Sequence, residues 1–338
     1  MELNPKRFAI KYGLRAGIQP YLSTLSFLLA LQMMVVAHAD GTSVPSIESR
    51  DGGVVYAPVF EKLKKGVNQD ANMPDSGAWV RVQHHPNHMK AIKAAGFESV
   101  RFFMPTGGNI DTFTQRIQDA VDNDLAVVVC MWGSPSWARR DIAGAVTAIS
   151  NRWRTLATRW VDFPNDVVFE VLNEVHGIGY HGESTFADAM RLYNGAVKAI
   201  RAVDPDRPIL VAPPGFNDSD KLDPWVSEDY LDYTLSDGGG FFEDPNIGVA
   251  IHFYRPNNRR KGGNWGMGTE PLKADWKEFV DYEIAHAVDW KTQYHTNMPI
   301  IASEWGCWLF ESRSKTQLDD WLDYHLGLFE KNNFGSMW

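Results

Sequence analysis

Short apolar runs alternate with longer amphipathic stretches along most of the chain. Leu63–Asn68, Phe97–Met104, Leu125–Trp132, Asp166–Asn173, Pro208–Pro213, Ile247–Tyr254, Pro299–Glu304 and Phe334–Trp338 read as strands. Several, LAVVVCM and DVVFEVL among them, are almost continuously apolar, as expected of parallel strands covered on both faces. The stretches between them carry helical spacing. HMKAIKAAG runs into Gly96, a residue suited to close a helix, and Thr185–Val203 stops before Asp204-Pro205. Asp275–Tyr294 and Thr316–Lys331 repeat the pattern. Strand ends recur about every 39 residues, the length of a strand, a helix and a loop. Eight such units predict a (β/α)8 TIM barrel, α/β in class, as a single domain over residues 61–338. No G-x-G-x-x-G or Walker loop opens any helix, which removes the main support for a nucleotide-binding fold. The pattern holds no eighth helix after the last strand. Either the turn-rich lead segment 40–60 covers that strand, or the barrel is truncated there.

The first 39 residues break this rhythm. Lys6, Arg7, Lys11 and Arg15 precede a mostly apolar stretch, Tyr21–Ala37, that closes in Ala37-His38-Ala39. This order predicts a signal peptide cleaved after Ala39 and a secreted or periplasmic protein. Ser23, Thr24, Ser26 and Gln32 interrupt the apolar stretch, and no second run of membrane length follows, so no stable membrane association is expected. The chain carries 33 Lys+Arg against 42 Asp+Glu, a net charge of −9. Residues 1–39 hold four of the cations against Glu2, or +3, so the remainder stands at −12. An acidic body without a basic stripe argues against a nucleic-acid partner. Cys130 and Cys307 are too few for a cysteine-based zinc or iron–sulfur site. Export would permit them to pair, but both lie in or beside apolar runs, which favours two buried thiols.

In a barrel of this type chemistry gathers where the strands end. The fourth run ends in Asn173-Glu174 and the seventh in Glu304-Trp305. Two glutamates on separate strands of one rim can face each other across a cleft, which suits glycoside cleavage. A glutamate at a strand end also serves as a plain salt-bridge partner, so the pair alone does not decide. Arg101 ends the second run, where a guanidinium would keep a neighbouring carboxylate ionised. His252 and Tyr254, two apart, point the same way from the sixth. Thirteen Trp residues are many for this length. Trp132, Trp305, Trp308 and Trp338 fall at or past strand ends, and Trp265 lies in KGGNWGMG. Indoles there offer flat platforms for sugar rings, whereas Trp153, Trp160, Trp276, Trp290 and Trp321 sit on helical stretches and read as core.

FEVLNEVHG, ASEWG, the arginine of SVRFFMP, HFY and the terminal SMW together resemble glycoside hydrolase family 5, the cellulase family, in the family's order from LKKGVN onward. The resemblance implies a retaining β-glycanase, in first place an endo-β-1,4-glucanase, with mannan, xyloglucan or another β-glucan as alternative substrates. It implies Glu174 as proton donor and base and Glu304 as nucleophile. Asn173 would meet the sugar 2-hydroxyl, Arg101 and Tyr254 would hold Glu304, His252 would bond near the pair, and Trp338 would floor the reacting sugar. Val175 replaces the proline usual after Asn-Glu, and Trp132 stands where the family commonly has a histidine, which leaves that subsite contact open. No metal or organic cofactor is implied. The expected partner is a β-linked polysaccharide or oligosaccharide, bound by a monomer. The reading from another class is a carbohydrate-binding barrel without hydrolysis, which the presence of both glutamates and Arg101 opposes.

Overall fold

The computed structural model describes residues 54–69, 85–132, 141–175, 183–222, 235, 240–254, 276–294, 296–306 and 315–338. The predicted signal segment 1–39, residues 40–53 of the lead segment, Trp265, Cys307 and Trp308 lie outside them. Eight parallel strands follow one another in sequence order: β1 (Gly66–Gln69), β2 (Ser99–Pro105), β3 (Ala126–Trp132), β4 (Val167–Glu170), β5 (Ile209–Val211), β6 (Ile247–Phe253), β7 (Ile300–Trp305) and β8 (Gly335–Ser336). The circle closes through a parallel bridge between Gly66 and Met337. Flanking it, Trp338 N–H donates to Gly66 O at 3.1 Å, and Asn68 N–H to Trp338 O at 2.6 Å. The expected (β/α)8 barrel is therefore present.

Helices α1 (Pro86–Ala94), α2 (Ile110–Val121), α3 (Ile142–Trp160), α4 (Glu183–Arg201), α5 (Trp276–Gln293) and α6 (Lys315–Lys331) lie between strands. Among the described residues none is long and apolar enough to cross a membrane. Local sequence sets their ends. Asn109 Oδ1 accepts from Thr112 N–H at 3.0 Å and Asp141 Oδ1 from Gly144 N–H at 2.8 Å, capping α2 and α3. At the end of α1, Gly96 takes φ 91°. Gly96 N–H then bonds Lys93 O and Phe97 N–H bonds Ile92 O, a paired closure that needs the left-handed residue the sequence offers there. Trp153 and Trp160 of α3 pack on Phe169 of β4, with ring centroids 5.2 and 5.9 Å away. Trp153, Trp160, Trp290 and Trp321 are fully buried, and Trp276 nearly so, as their helical spacing predicted.

Three features differ from the sequence reading. Leu63–Lys65 is a tight helical turn, and β1 begins only at Gly66. β4, β5 and β8 are shorter than their apolar runs, although Val171 and Asn173 beyond β4 still bond to β5 and β3, and Met337 beyond β8 to β7. Residues 57–65 lie across the N-terminal end of the barrel. Ala57 N–H bonds Pro245 O, and Lys64 O accepts from Ser336 Oγ. A Cβ on Gly248 would come within 3.1 Å of Phe60 and Leu210 and 3.2 Å of the Pro299 carbonyl oxygen, so a larger residue there would make these neighbours give way by a few tenths of an ångström. Residues 57–65 thus seal the barrel floor by burying Val59 and Phe60 of the lead segment and Leu63 of the barrel.

Candidate active site

Arg101 organises the rim end of the barrel interior. It is fully buried, and every arm of its fork is engaged. Nε donates to Glu170 Oε2 at 2.6 Å and Nη2 to Glu170 Oε1 at 2.7 Å, a two-point pair between β2 and β4. Nη1 reaches Glu304 Oε1 at 2.8 Å and Asn68 Oδ1 at 3.0 Å. Nη2 also meets Asn173 Oδ1 at 2.8 Å and the sulfur of Cys130 at 3.0 Å. Cys130 is a buried free thiol whose pKa burial pushes well up, so it stays protonated. Asn68 is tied further by its Nδ2 to the carbonyls of Ser303 and Met337, which links β1 to β7 and the last residues of the chain.

Glu304 projects inward from β7. Tyr254 donates its hydroxyl to Glu304 Oε2 at 2.7 Å, opposite the guanidinium on Oε1. Burial would raise this carboxyl. It is outweighed by charge from the His252 side, by Arg101, and by the hydrogen bonds from Tyr254 and Arg101, so Glu304 lies below its ordinary range. The same burial, with the Glu304 charge, pushes the Tyr254 hydroxyl well up and keeps it a donor.

Glu174 stands across the cleft, four residues beyond the end of β4. Its backbone is left-handed, φ 45°, in a region a side chain rarely enters. The loop after β5 holds it there. Glu174 N–H donates to Asn217 Oδ1 at 3.1 Å, and Gly215 N–H donates to Val175 O at 2.7 Å. His252 Nδ1 lies 2.8 Å from Glu174 Oε1, and His252 Nε2 lies 3.6 Å from Glu304 Oε1. Burial disfavours charge on this ring, while Glu304 and Glu174 favour it and pull its pKa upward.

The structure thus brings Glu174, Glu304, Arg101, Asn173, His252 and Tyr254 into one bonded cluster. Trp338 is half-buried at the barrel seam, edge-on to Trp305 at 4.8 Å and to Trp321 at 6.2 Å. Trp132 is half-buried at the rim end of β3, opposite Pro105. Trp305 is not a platform. Next to inward-facing Glu304, it points to the other face of β7 and is buried against Trp321 and Phe329. Three site residues escaped the sequence reading: Asn68, Glu170 and Asn217. Glu170 had a signal, since a charge inside a run buried on both faces must find a partner.

Glu174, His252 and Glu304 bring ligand-type atoms within 4.8 Å of one another. Both oxygens of Glu304 are already bonded, one to a guanidinium, so a cation there would sit against a buried positive charge. The donor set fits a proton-transfer pair better than a metal.

The pattern of "Cellulase (glycosyl hydrolase family 5)" matches residues 62–338. Endoglucanase B of Clostridium cellulovorans is 23% identical over an alignment of 259 residues that covers 68% of this chain and 56% of that protein. Endoglucanase A of Paenibacillus barcinonensis is 24% identical over an alignment of 335 positions that covers 82% of this chain and 80% of that one. In fold, endoglucanase Cel5A from Thermotoga maritima superposes with a TM-score of 0.65 at 21% identity, over 83% of this chain and 91% of that one. The family pattern spans the whole barrel described above, and the chain is a glycoside hydrolase that belongs to the cellulase family, glycoside hydrolase family 5.

Proposed function

We propose that the protein is a secreted retaining endo-β-1,4-glucanase working by double displacement between Glu304 and Glu174. One observation carries this reading: an oxygen of each carboxylate lies within 4.8 Å of the other. That closeness fits the roughly 5–5.5 Å carboxyl separation of direct attack better than the roughly 6.5–9.5 Å that admits an intervening water. The environments also divide the roles. Glu304 is held ionised by Arg101 and Tyr254, as a nucleophile requires, while Glu174 is bonded through Oε1 to the imidazole of His252.

In the first step a Glu304 oxygen attacks the anomeric carbon as the glycosidic bond breaks, and Glu174 gives its proton to the leaving oxygen. In the second, Glu174 takes a proton from water, whose oxygen displaces Glu304 from the same carbon. Asn173 Oδ1 is occupied by Arg101, so its Nδ2 is the atom left to meet a sugar hydroxyl. Trp338 would supply the apolar floor and Trp132 a further ring contact.

The endoglucanase names of the relatives support a β-1,4-glucan. A second substrate has its own support, because Thermotoga maritima Cel5A has been solved with mannotriose as well as with cellobiose. Reducing-sugar release from cellulose, glucomannan, xyloglucan and mixed-linkage glucan separates the readings. Cellulose and mixed-linkage glucan should be cut best, and a preference for glucomannan or xyloglucan would overturn the substrate assignment. The roles are tested by azide. Glu304→Gly with an activated β-glycoside should give the α-glycosyl azide, and Glu174→Ala the β-glycosyl azide. Exchanged stereochemistry would reverse the two roles. Export rests on the basic segment, apolar stretch and Ala37-His38-Ala39. N-terminal sequencing of exported protein should begin at Asp40, and an intact Met1 would contradict it.

A further inference from the structure

We propose that Asn217 is a positioning residue that fixes His252 as the neutral tautomer protonated on Nδ1, so that the ring only donates to Glu174. The inference rests on the reading of Glu174 as acid and base.

Asn217 ends a run of three left-handed residues, Gly215 (φ 83°), Phe216 (φ 71°) and Asn217 (φ 56°). Such a run is costly without compensation, and here it secures contact with β6 and with the segment beyond β4. Asn217 O accepts from His252 N–H at 3.0 Å, and its buried side chain lies between Glu174 and the His252 ring. The orientation of that amide follows from chemistry. The Glu174 backbone N–H can only donate, so the atom facing it is the carbonyl Oδ1. Nδ2 must then face His252 Nε2, 3.1 Å away, and it can only donate. Nε2 is therefore the acceptor, and the ring proton resides on Nδ1, aimed at Glu174 Oε1 at 2.8 Å.

The groups around the ring pull the other way. Among the described residues, Glu174 beyond β4 and Glu304 on β7 face it as carboxylates, Arg101 on β2 opposes them, and Tyr254 stands edge-on at 6.2 Å. Two carboxylates against one guanidinium favour an imidazolium. A second ring proton would meet the Asn217 Nδ2–H head-on, which penalises that state. Without Asn217 the Nε2 proton could turn to Glu304 Oε1, now 3.6 Å away. The positive ring would then favour the carboxylate of Glu174, and the proton needed for the first step would be lost at lower pH.

The test uses the full-length protein, labelled with 15N at histidine, with His252 assigned from the signals lost in His252→Gln. At neutral pH the unmodified protein should show Nδ1 protonated and Nε2 bare; a proton on Nε2 overturns the proposal before any variant is made. Asn217→Asp keeps an acceptor for Glu174 N–H but offers Nε2 an acceptor, so His252 should stay doubly protonated to higher pH. Asn217→Gly keeps the left-handed backbone and removes the amide. In it the alkaline limb of kcat/KM should move down by about one pH unit. Hydrolysis of an aryl glycoside whose leaving group needs no proton should suffer less. Lower melting temperatures and uniformly lower rates, with an unaltered His252 tautomer and pH profile, would make Asn217 merely structural and refute the proposal. The supporting reading is checked separately: loss of azide rescue in Glu174→Ala would remove Glu174 as acid and base whatever the tautomer proves to be.

Discussion

The chemistry of this rim depends on how each donor of one arginine is used. Arg101→Lys keeps the charge but cannot serve Glu170, Asn68, Asn173 and Glu304 from a single ammonium. It would leave Glu170 buried and half-bonded. We expect a loss of about 3–5 kcal/mol in stability, the range for breaking a buried pair, together with near-complete loss of turnover. Thermal unfolding and kcat/KM on one soluble glucan check both. Tyr254→Phe is a narrower change. It removes one hydrogen bond that favours ionised Glu304, so the acid limb of kcat/KM should rise by about one unit while the fold persists. An acid limb that stays in place would show that His252 and Arg101 set Glu304 without the hydroxyl.

At the scale of strands and helices, the apolar periodicity made most of the barrel legible, because buried parallel strands and one-sided helices leave different spacings. Strand ends were less legible. β4 stops at Glu170 although the apolar run continues to Asn173, and beyond it single bonds run alternately to the two neighbours, Val171 to β5 and Asn173 to β3. Glu174, Glu304, His252 and Tyr254 could be nominated because each is a polar residue at the close of an apolar run; Arg101, expected at a strand end, is instead the third residue of β2, a charge inside a buried strand that must find partners there. Asn217 could not. Its place depends on a left-handed loop whose geometry is set by the strands it joins, and a single Asn after Gly-Phe carries no such signal. Trp338 tests the seam. Its main chain closes β8 onto β1, whereas its indole rests on Trp305 and Trp321. Trp338→Ala should therefore cut turnover on polymer at least tenfold while lowering the melting temperature only modestly. Turnover at the parent level would assign the indole to packing.

For the whole molecule, the buried rim network couples stability to pH. The folded pKa of Glu304 lies below its unfolded value, so the stability it contributes is fully present above the unfolded value and is lost as pH falls through the folded one. Acid unfolding should accordingly steepen below about pH 4.5, the ordinary glutamate value, and Tyr254→Phe should shift that loss to higher pH. Urea midpoints across the acid range measure it. The proposed mechanism rests on one arrangement, two glutamates with oxygens within 4.8 Å of each other and held in unequal environments. The anomeric form first released from a β-linked oligosaccharide tests that arrangement most directly. Followed by 1H NMR before mutarotation, the unmodified enzyme should release the β-anomer first; initial appearance of the α-anomer would contradict the two-step mechanism and the roles of Glu304 and Glu174 with it.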